Sequence, residues 1–320
     1  MILSVTEQAS SDRDLPGQGK RVSILGVPLR FGQSKAGVDL GPGAVRVARI
    51  AARISQLGYD VNDLGDLPIQ RPRSLPPAGE KLKYLTEVHD ACERLATQVE
   101  QIVDTGEFPI TIGGDHSIAI GSLTGVVKAF RKRDERLGLI YFDAHADMNT
   151  PDTTPSGNIH GMPLSALLGY GAPELIRVGG FSPKFDLASC AHVGARDLDP
   201  GERELIRRLG MRFFTMREID ERGLAACMDE AIAIAGQGTA GYAVTFDVDV
   251  LDPGDAPGSG TLVRGGLSYR EAHLAMEKIA EDGGMRSLEV VEINTALDSN
   301  NRTAELGVEL ILSALGKTIL

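Results

Sequence analysis

The sequence has no tryptophan and only three cysteines in 320 residues. Cys92, Cys190 and Cys227 are widely spaced and form no C-x-x-C pair, which argues against a disulfide framework or a thiolate zinc site. They read as small core residues. No apolar run approaches the roughly 18 residues of a membrane span. The opening "MILSVTEQASSDRDLPGQGK" lacks a basic segment followed by an apolar one. Residues 1–20 therefore read as a disordered arm rather than a signal peptide, and the chain as cytoplasmic. Positive charge is in deficit, with 33 Lys and Arg against 44 Asp and Glu and a net charge of −11. That balance argues against nucleic acid and anionic membranes as partners, and is compatible with a cationic small molecule.

What is present is a regular alternation of short apolar runs with longer amphipathic ones. Strands are expected at residues 21–27, 108–112, 137–142, 191–194, 212–215, 242–246 and 287–291. Several are continuously apolar, as in strands covered on both faces. Helices are expected at 42–57, 81–104, 118–132, 201–209, 224–235, 268–281 and 302–315. For the helix from 268, Ser268 and Glu271 form a capping box and Gly283-Gly284 the stop. Strand–helix alternation without a linker or repeat implies one α/β domain over residues 21–320, a three-layer α/β/α arrangement around a mostly parallel sheet. Functional residues of such folds gather beyond the carboxyl ends of the strands.

Four stretches at those ends are unusual: "GGDHS" (Asp115, His116), "DAHAD" (Asp143, His145, Asp147), "FDVDVLDP" (Asp247, Asp249) and "EVVEIN" (Glu289, Glu292). Strand alternation sends Asp143 and His145 to one side, with Asp147 following from the loop, and likewise pairs Asp247 with Asp249. If these ends are neighbours, four aspartates and two imidazoles converge with no Lys or Arg in the motifs. Carboxylates so crowded raise one another's pKa unless a cation intervenes, and this many ligands suits two ions. Carboxylate with imidazole and no thiolate suits Mn²⁺, and is compatible with Zn²⁺, Fe²⁺ or Co²⁺. Two such ions about 3.5–4 Å apart make hydroxide from water near neutral pH, which is a hydrolase design. Taken singly, each piece has an ordinary structural reading as a turn, a solvated pair or a core histidine. His89, His192 and His273 are read in that ordinary way.

In this order, "GGDHS", "DAHAD" and "FDVDVLDP" resemble the marker stretches of the ureohydrolases, the dinuclear manganese family of arginases and agmatinases. The likeness runs from about residue 21 to the end and includes "GVDLGPGAVR" and "GTLVRGGLSYREAHLAME". It implies two Mn²⁺, one held by His116, Asp143, Asp147 and Asp247 and the other by Asp143, His145, Asp247 and Asp249, with Asp143 and Asp247 bridging. It further implies attack of a hydroxide on a guanidinium carbon, Glu292 as partner of the guanidinium, and His160 of "SGNIHGMP" as general acid or proton shuttle. Relatives of this kind assemble as trimers or hexamers. Thr245, Leu262 and Thr295 depart from the Ser, Pro and Pro commoner at those places.

The substrate turns on the α-carboxylate and α-amino group that separate arginine from agmatine. "NTPDTTPSGNIHG" contributes Asn149, Ser156 and Asn158, and "GARDLDPGE" contributes Asp199 and Glu202. Both segments resemble the arginase branch, in which such residues hold the amino-acid end, Asp199 taking the α-ammonium; Thr261 is counted with them. L-Arginine is therefore the expected substrate. Another guanidino compound such as agmatine is the alternative, and a catalytically silent amino-acid-binding regulator a third reading.

Overall fold

In the computed structural model, which describes residues 17–318, each of the seven expected strands forms. They are joined by one that the pattern did not announce. In chain order the strands are β1 (Arg21–Val27), β2 (Asp60–Asp66), β3 (Phe108–Gly113), β4 (Gly138–Phe142), β5 (Cys190–Ala195), β6 (Arg212–Thr215), β7 (Tyr242–Asp247) and β8 (Met285–Val291). They make one sheet in the order β2-β1-β3-β8-β7-β4-β5-β6, with every pairing parallel. β2, "DVNDLGD", lacks apolar alternation because it is an edge strand paired only with β1. Its acids are answered across the edge by Arg46, which reaches Asp63 at 2.9 Å and Asp66 at 2.5 Å.

Alternation along each inner strand divides the core in two. On one face Ile24, Ile112, Phe142, Val244 and Val290 pack with the helices Leu224–Gly236, Tyr269–Asp282 and Arg302–Ala314. On the other, Leu25, Leu139, Tyr141 and Ala243 pack with Leu85–Asp104 and Ala119–Arg131. This is the expected three-layer arrangement. The three cysteines are free and buried, and no described helix is long and apolar enough to cross a membrane.

Local differences from the expected elements have local causes. The helix expected at 42–57 is broken into Gly41–Val47 and Ile50–Ser55 by Arg49 at φ 63°, and the break lets Val45 and Ile50 both reach the core. The helix expected from 81 begins at Leu85, after Tyr84 at φ 55°. Of the arm expected over 1–20, residues 1–16 lie outside the described residues. The rest is a turn in which buried Gly17 donates its N–H to Leu57 O.

β3, β8, β7 and β4 are the central strands, and their carboxyl ends carry the four unusual stretches. The exit from β3 is the tightest point. Gly114 donates its N–H to Val27 O and accepts from Glu292 N, and a Cβ there would stand 1.9 Å from Leu29 O. Gly114→Ala is expected to cost about 1–3 kcal/mol, the range for overpacking, and to lower divalent-metal binding because Asp115 and His116 follow directly. Thermal denaturation with and without metal checks both effects.

Candidate metal centre

Asp143, His145 and Asp147 follow β4, Asp247 ends β7 with Asp249 in the turn after it, and His116 opens the turn after β3. Around His116 the crowding is extreme. Its Nδ1 lies 3.0 Å from Asp143 Oδ2, 3.1 Å from Asp147 Oδ2 and 3.2 Å from Asp247 Oδ2. His145 Nδ1 lies 3.3 Å from Asp143 Oδ1 and 3.1 Å from Asp249 Oδ2. His145 is the most open of these residues; the others are buried.

Each strand-end aspartate has one oxygen fixed by the backbone. His145 N–H donates to Asp143 Oδ1 at 2.7 Å, Asp249 N–H to Asp247 Oδ1 at 2.8 Å, and Ala144 N–H to Asp249 Oδ1 at 3.2 Å. The second oxygen of each is thereby turned toward an imidazole. Asp147, at φ 53°, is held instead by the phenol of Tyr141, which donates to Oδ2 at 2.7 Å.

The titration of these groups follows from their crowding. Burial, then the charges of Asp147 and Asp249, push the Asp143 carboxyl up to about 7. Burial, then Asp249 and Asp143, push Asp247 well above the carboxylate range. Burial works against charge on His116, but its hydrogen bonds to Asp143, Asp147 and Asp247 outweigh that and raise it well above the ordinary imidazole range. One N–H cannot satisfy three carboxylate oxygens at hydrogen-bond distance; a divalent cation can. The donor atoms of His116, Asp143 and Asp247 lie within 4.8 Å of one another, as do those of Asp143, His145 and Asp249. Two groups sharing Asp143 fit a binuclear metal centre.

The centre opens onto a cavity of about 110 Å³ whose walls include Asn149, Ser156, Asn158, His160, Asp199, Glu202 and Thr261. Every residue expected at the site borders this cavity except Asp249 and Glu292, which lie directly behind its walls. Glu292, fully buried at φ 65°, accepts from His116 N–H at 3.0 Å and lies 3.1 Å from His160 Nδ1. Burial opposes charge on His160, but Glu292 outweighs it and lifts the imidazole to about 9. Asn149 Nδ2 donates to Asp199 Oδ2 at 2.8 Å. Asn158 Oδ1 accepts from Ser34 at 3.1 Å and from Lys83 at 3.3 Å, and Ser156 Oγ takes Asn158 N–H. Glu202 has both oxygens occupied by backbone N–H groups, those of Met148 and Asp199. Thr261 donates to Asp249 Oδ2 at 2.8 Å.

Two participants carried no signal in the sequence. Gln33, in the loop after β1, donates to Glu292 Oε2 at 2.5 Å across 259 positions. Among the described residues Arg196 makes no ion pair, and it donates to the carbonyls of Asp249, Val250, Leu251 and Val263, which fixes the turn bearing Asp249. Neither a lone glutamine nor an arginine after a strand marks a site by type or spacing.

Known proteins resemble this chain over most of its length. The model of the Arginase family matches residues 20–316. The arginase of Bacillus caldovelox is 48% identical over 94% of this chain and 100% of its own length, and its solved structure superposes with a TM-score of 0.90. That of Brevibacillus brevis is likewise 48% identical, over 94% of this chain and 99% of its own. The Bacillus subtilis arginase structure is 45% identical, covers 94% of this chain and 100% of its own, and gives a TM-score of 0.88.

Protons and cations compete for the same oxygens, and this fixes a pH dependence. In the metal-free protein Asp143 and Asp247 have folded pKa values raised above their unfolded ones; for Asp143 the folded state holds the extra proton between about pH 4 and 7, and Asp247 shifts in the same direction. Their contribution to stability therefore falls as pH rises through that window. A bound cation removes this penalty and is itself bound more tightly as the protons leave. The difference in melting temperature between Mn²⁺-loaded and chelator-treated protein is expected to widen steadily from pH 5 to 8. At a hundredfold excess over Kd each site adds about 2.7 kcal/mol. A difference independent of pH would show that the ion does not displace these protons.

Proposed function

The chain belongs to the arginase family, and on that premise we infer that it hydrolyses L-arginine to L-ornithine and urea. The observation that carries this reading is the buried His/Asp cluster opening onto a cavity walled by Asn149, Ser156, Asn158 and Asp199. We propose Mn²⁺ for both positions, with His116, Asp143, Asp147 and Asp247 holding one ion and Asp143, His145, Asp247 and Asp249 the other. When bound, such a pair supplies Lewis acidity and lowers the pKa of water toward neutrality.

The remaining work falls to the chain's own residues. A guanidinium carbon is resonance-stabilised, so it must be oriented firmly. Glu292, held by the His116 N–H and Gln33, suits a planar cation through charge-assisted hydrogen bonds. The product amine leaves readily only once protonated. His160 carries its proton up to about pH 9 and borders the cavity, so it suits the delivery of that proton at neutral pH. At the opposite end Asn149 presses its amide on Asp199, leaving the aspartate as the negative partner for an α-ammonium. Asn158 has its carbonyl engaged by Ser34 and Lys83, so its Nδ2 is the atom available to a carboxylate. The reading also takes residues 21–320 as one catalytic domain, working in the cytoplasm as a homotrimer or homohexamer.

Arginine and agmatine given in parallel to the Mn²⁺-loaded protein test the substrate: urea and ornithine from arginine support the reading, and turnover of agmatine in its place overturns the amino-acid clamp. Asp199→Asn is the sharper probe. Asn serves as well as Asp at a helix N-cap, and Asp199 stands at the N-cap of the helix Pro200–Leu209, so the exchange removes charge with little loss of structure. Its kcat/KM for arginine is expected to fall about 10- to 100-fold, the worth of one hydrogen bond to a charged group.

A further inference from the structure

We propose that Thr245 and Glu289 are positioning residues that fix the tautomer of His116 and so set the affinity of one metal position. The inference rests on the reading of His116 as a metal ligand. Glu289 is 1% exposed and Thr245 fully buried, and they are direct partners across β7 and β8. Among the described residues the hydrogen-bond partners of Glu289 are hydroxyls, with no Lys or Arg. Ser122, from the helix Ala119–Arg131, donates to its Oε2, and Thr245 donates to its Oε1 at 2.8 Å. Thr245 Oγ1 also lies 3.0 Å from His116 Nε2.

A hydroxyl has one proton to give. Ser122 and Thr245 each give their hydroxyl proton to one oxygen of Glu289, so the Thr245 proton points to Glu289 and the Thr245 oxygen accepts from His116. Nε2 therefore keeps its hydrogen, and Nδ1, which faces Asp143, Asp147 and Asp247, is the nitrogen that can give up its proton to a cation held among them. In the reverse arrangement the Thr245 oxygen would face Glu289 Oε1 without a proton between them, and both side chains are buried. Tyr141 stacks on His116 with ring centroids 4.7 Å apart and planes 20° apart, which keeps the imidazole in the plane this chain requires. Fixing a ligand histidine through its other nitrogen raises the basicity of the nitrogen that binds.

Calorimetric titration of metal-free, full-length protein with MnCl₂ tests this, comparing wild type with Thr245→Val and Thr245→Ser. Val keeps the shape and removes the acceptor; Ser keeps the hydroxyl. Val is expected to weaken one of two sites by about 10- to 100-fold, with the second site unchanged, and Ser to restore it. A Val variant that binds both ions as the wild type does overturns the inference, and so does equal weakening of both sites. A wild type that binds no Mn²⁺ removes the reading of His116 as a ligand, and the inference with it. Should the Val variant not fold, Glu289→Met leaves the hydroxyl and takes away its acceptor, and carries the same expectation.

Discussion

Repulsion among carboxylates at the ends of β4 and β7 is the constraint to which the rest of the structure answers. At an effective dielectric constant near 20, two unit charges 4 Å apart interact by about 4 kcal/mol, and Asp143, Asp147, Asp247 and Asp249 all crowd two imidazoles. The fold meets this cost with backbone amides. Asp143, Asp247 and Asp249 each give one oxygen to a neighbouring N–H, two of them within their own turn and the third across to the next strand end. These bonds aim the free oxygens inward, where repulsion is greatest, so the turns store an attraction for a cation and not merely a tolerance of charge.

The parallel register explains why the strand ends meet at all. Phe213, His192, Tyr141, Thr245, Glu289 and Thr111 are successive partners across six strands, and the register holds them level. Two residues further along β4 and β7, on the same face, come Asp143 and Asp247. One polar row thus underlies the ligand row. Tyr141 donates its hydroxyl to Asp147, and Thr245, whose hydroxyl donates to the carboxyl group of Glu289, lies against His116 Nε2. His192 stacks between Tyr141 and Phe213; burial holds it neutral, with its pKa down at about 3. In that row it behaves as an aromatic ring.

The legibility of the sequence followed the strength of its periodic signals. Inner strands were readable because burial on both faces forces continuous apolar runs, while β2 was not, since an edge strand is free to be polar. The Asp-x-His-x-Asp and Asp-x-Asp patterns were readable because they coincided with two further polar stretches at the ends of apolar runs, although each alone has ordinary structural uses. Gln33 and Arg196 act through single long-range contacts whose meaning appears only after the chain has folded. The break at Arg49 was hidden for a related reason: the apolar pattern through 42–57 suits two short helices as well as one.

Asp199 shows where such reading ends on physical grounds. It stands at the N-cap of Pro200–Leu209, where an aspartate is favoured for capping alone, and the same side chain takes the Asn149 amide at the cavity wall. Both demands select the same residue type, so the residue type cannot separate them. The metal end differs, because no structural demand calls for buried aspartates facing one another. The chemistry of the site is therefore recorded in residues that are costly without it, whereas the choice of substrate is recorded in loop residues that would be comfortable in any case. Exchanging charge without exchanging capping, as Asn for Asp199 does, is the step that separates the two.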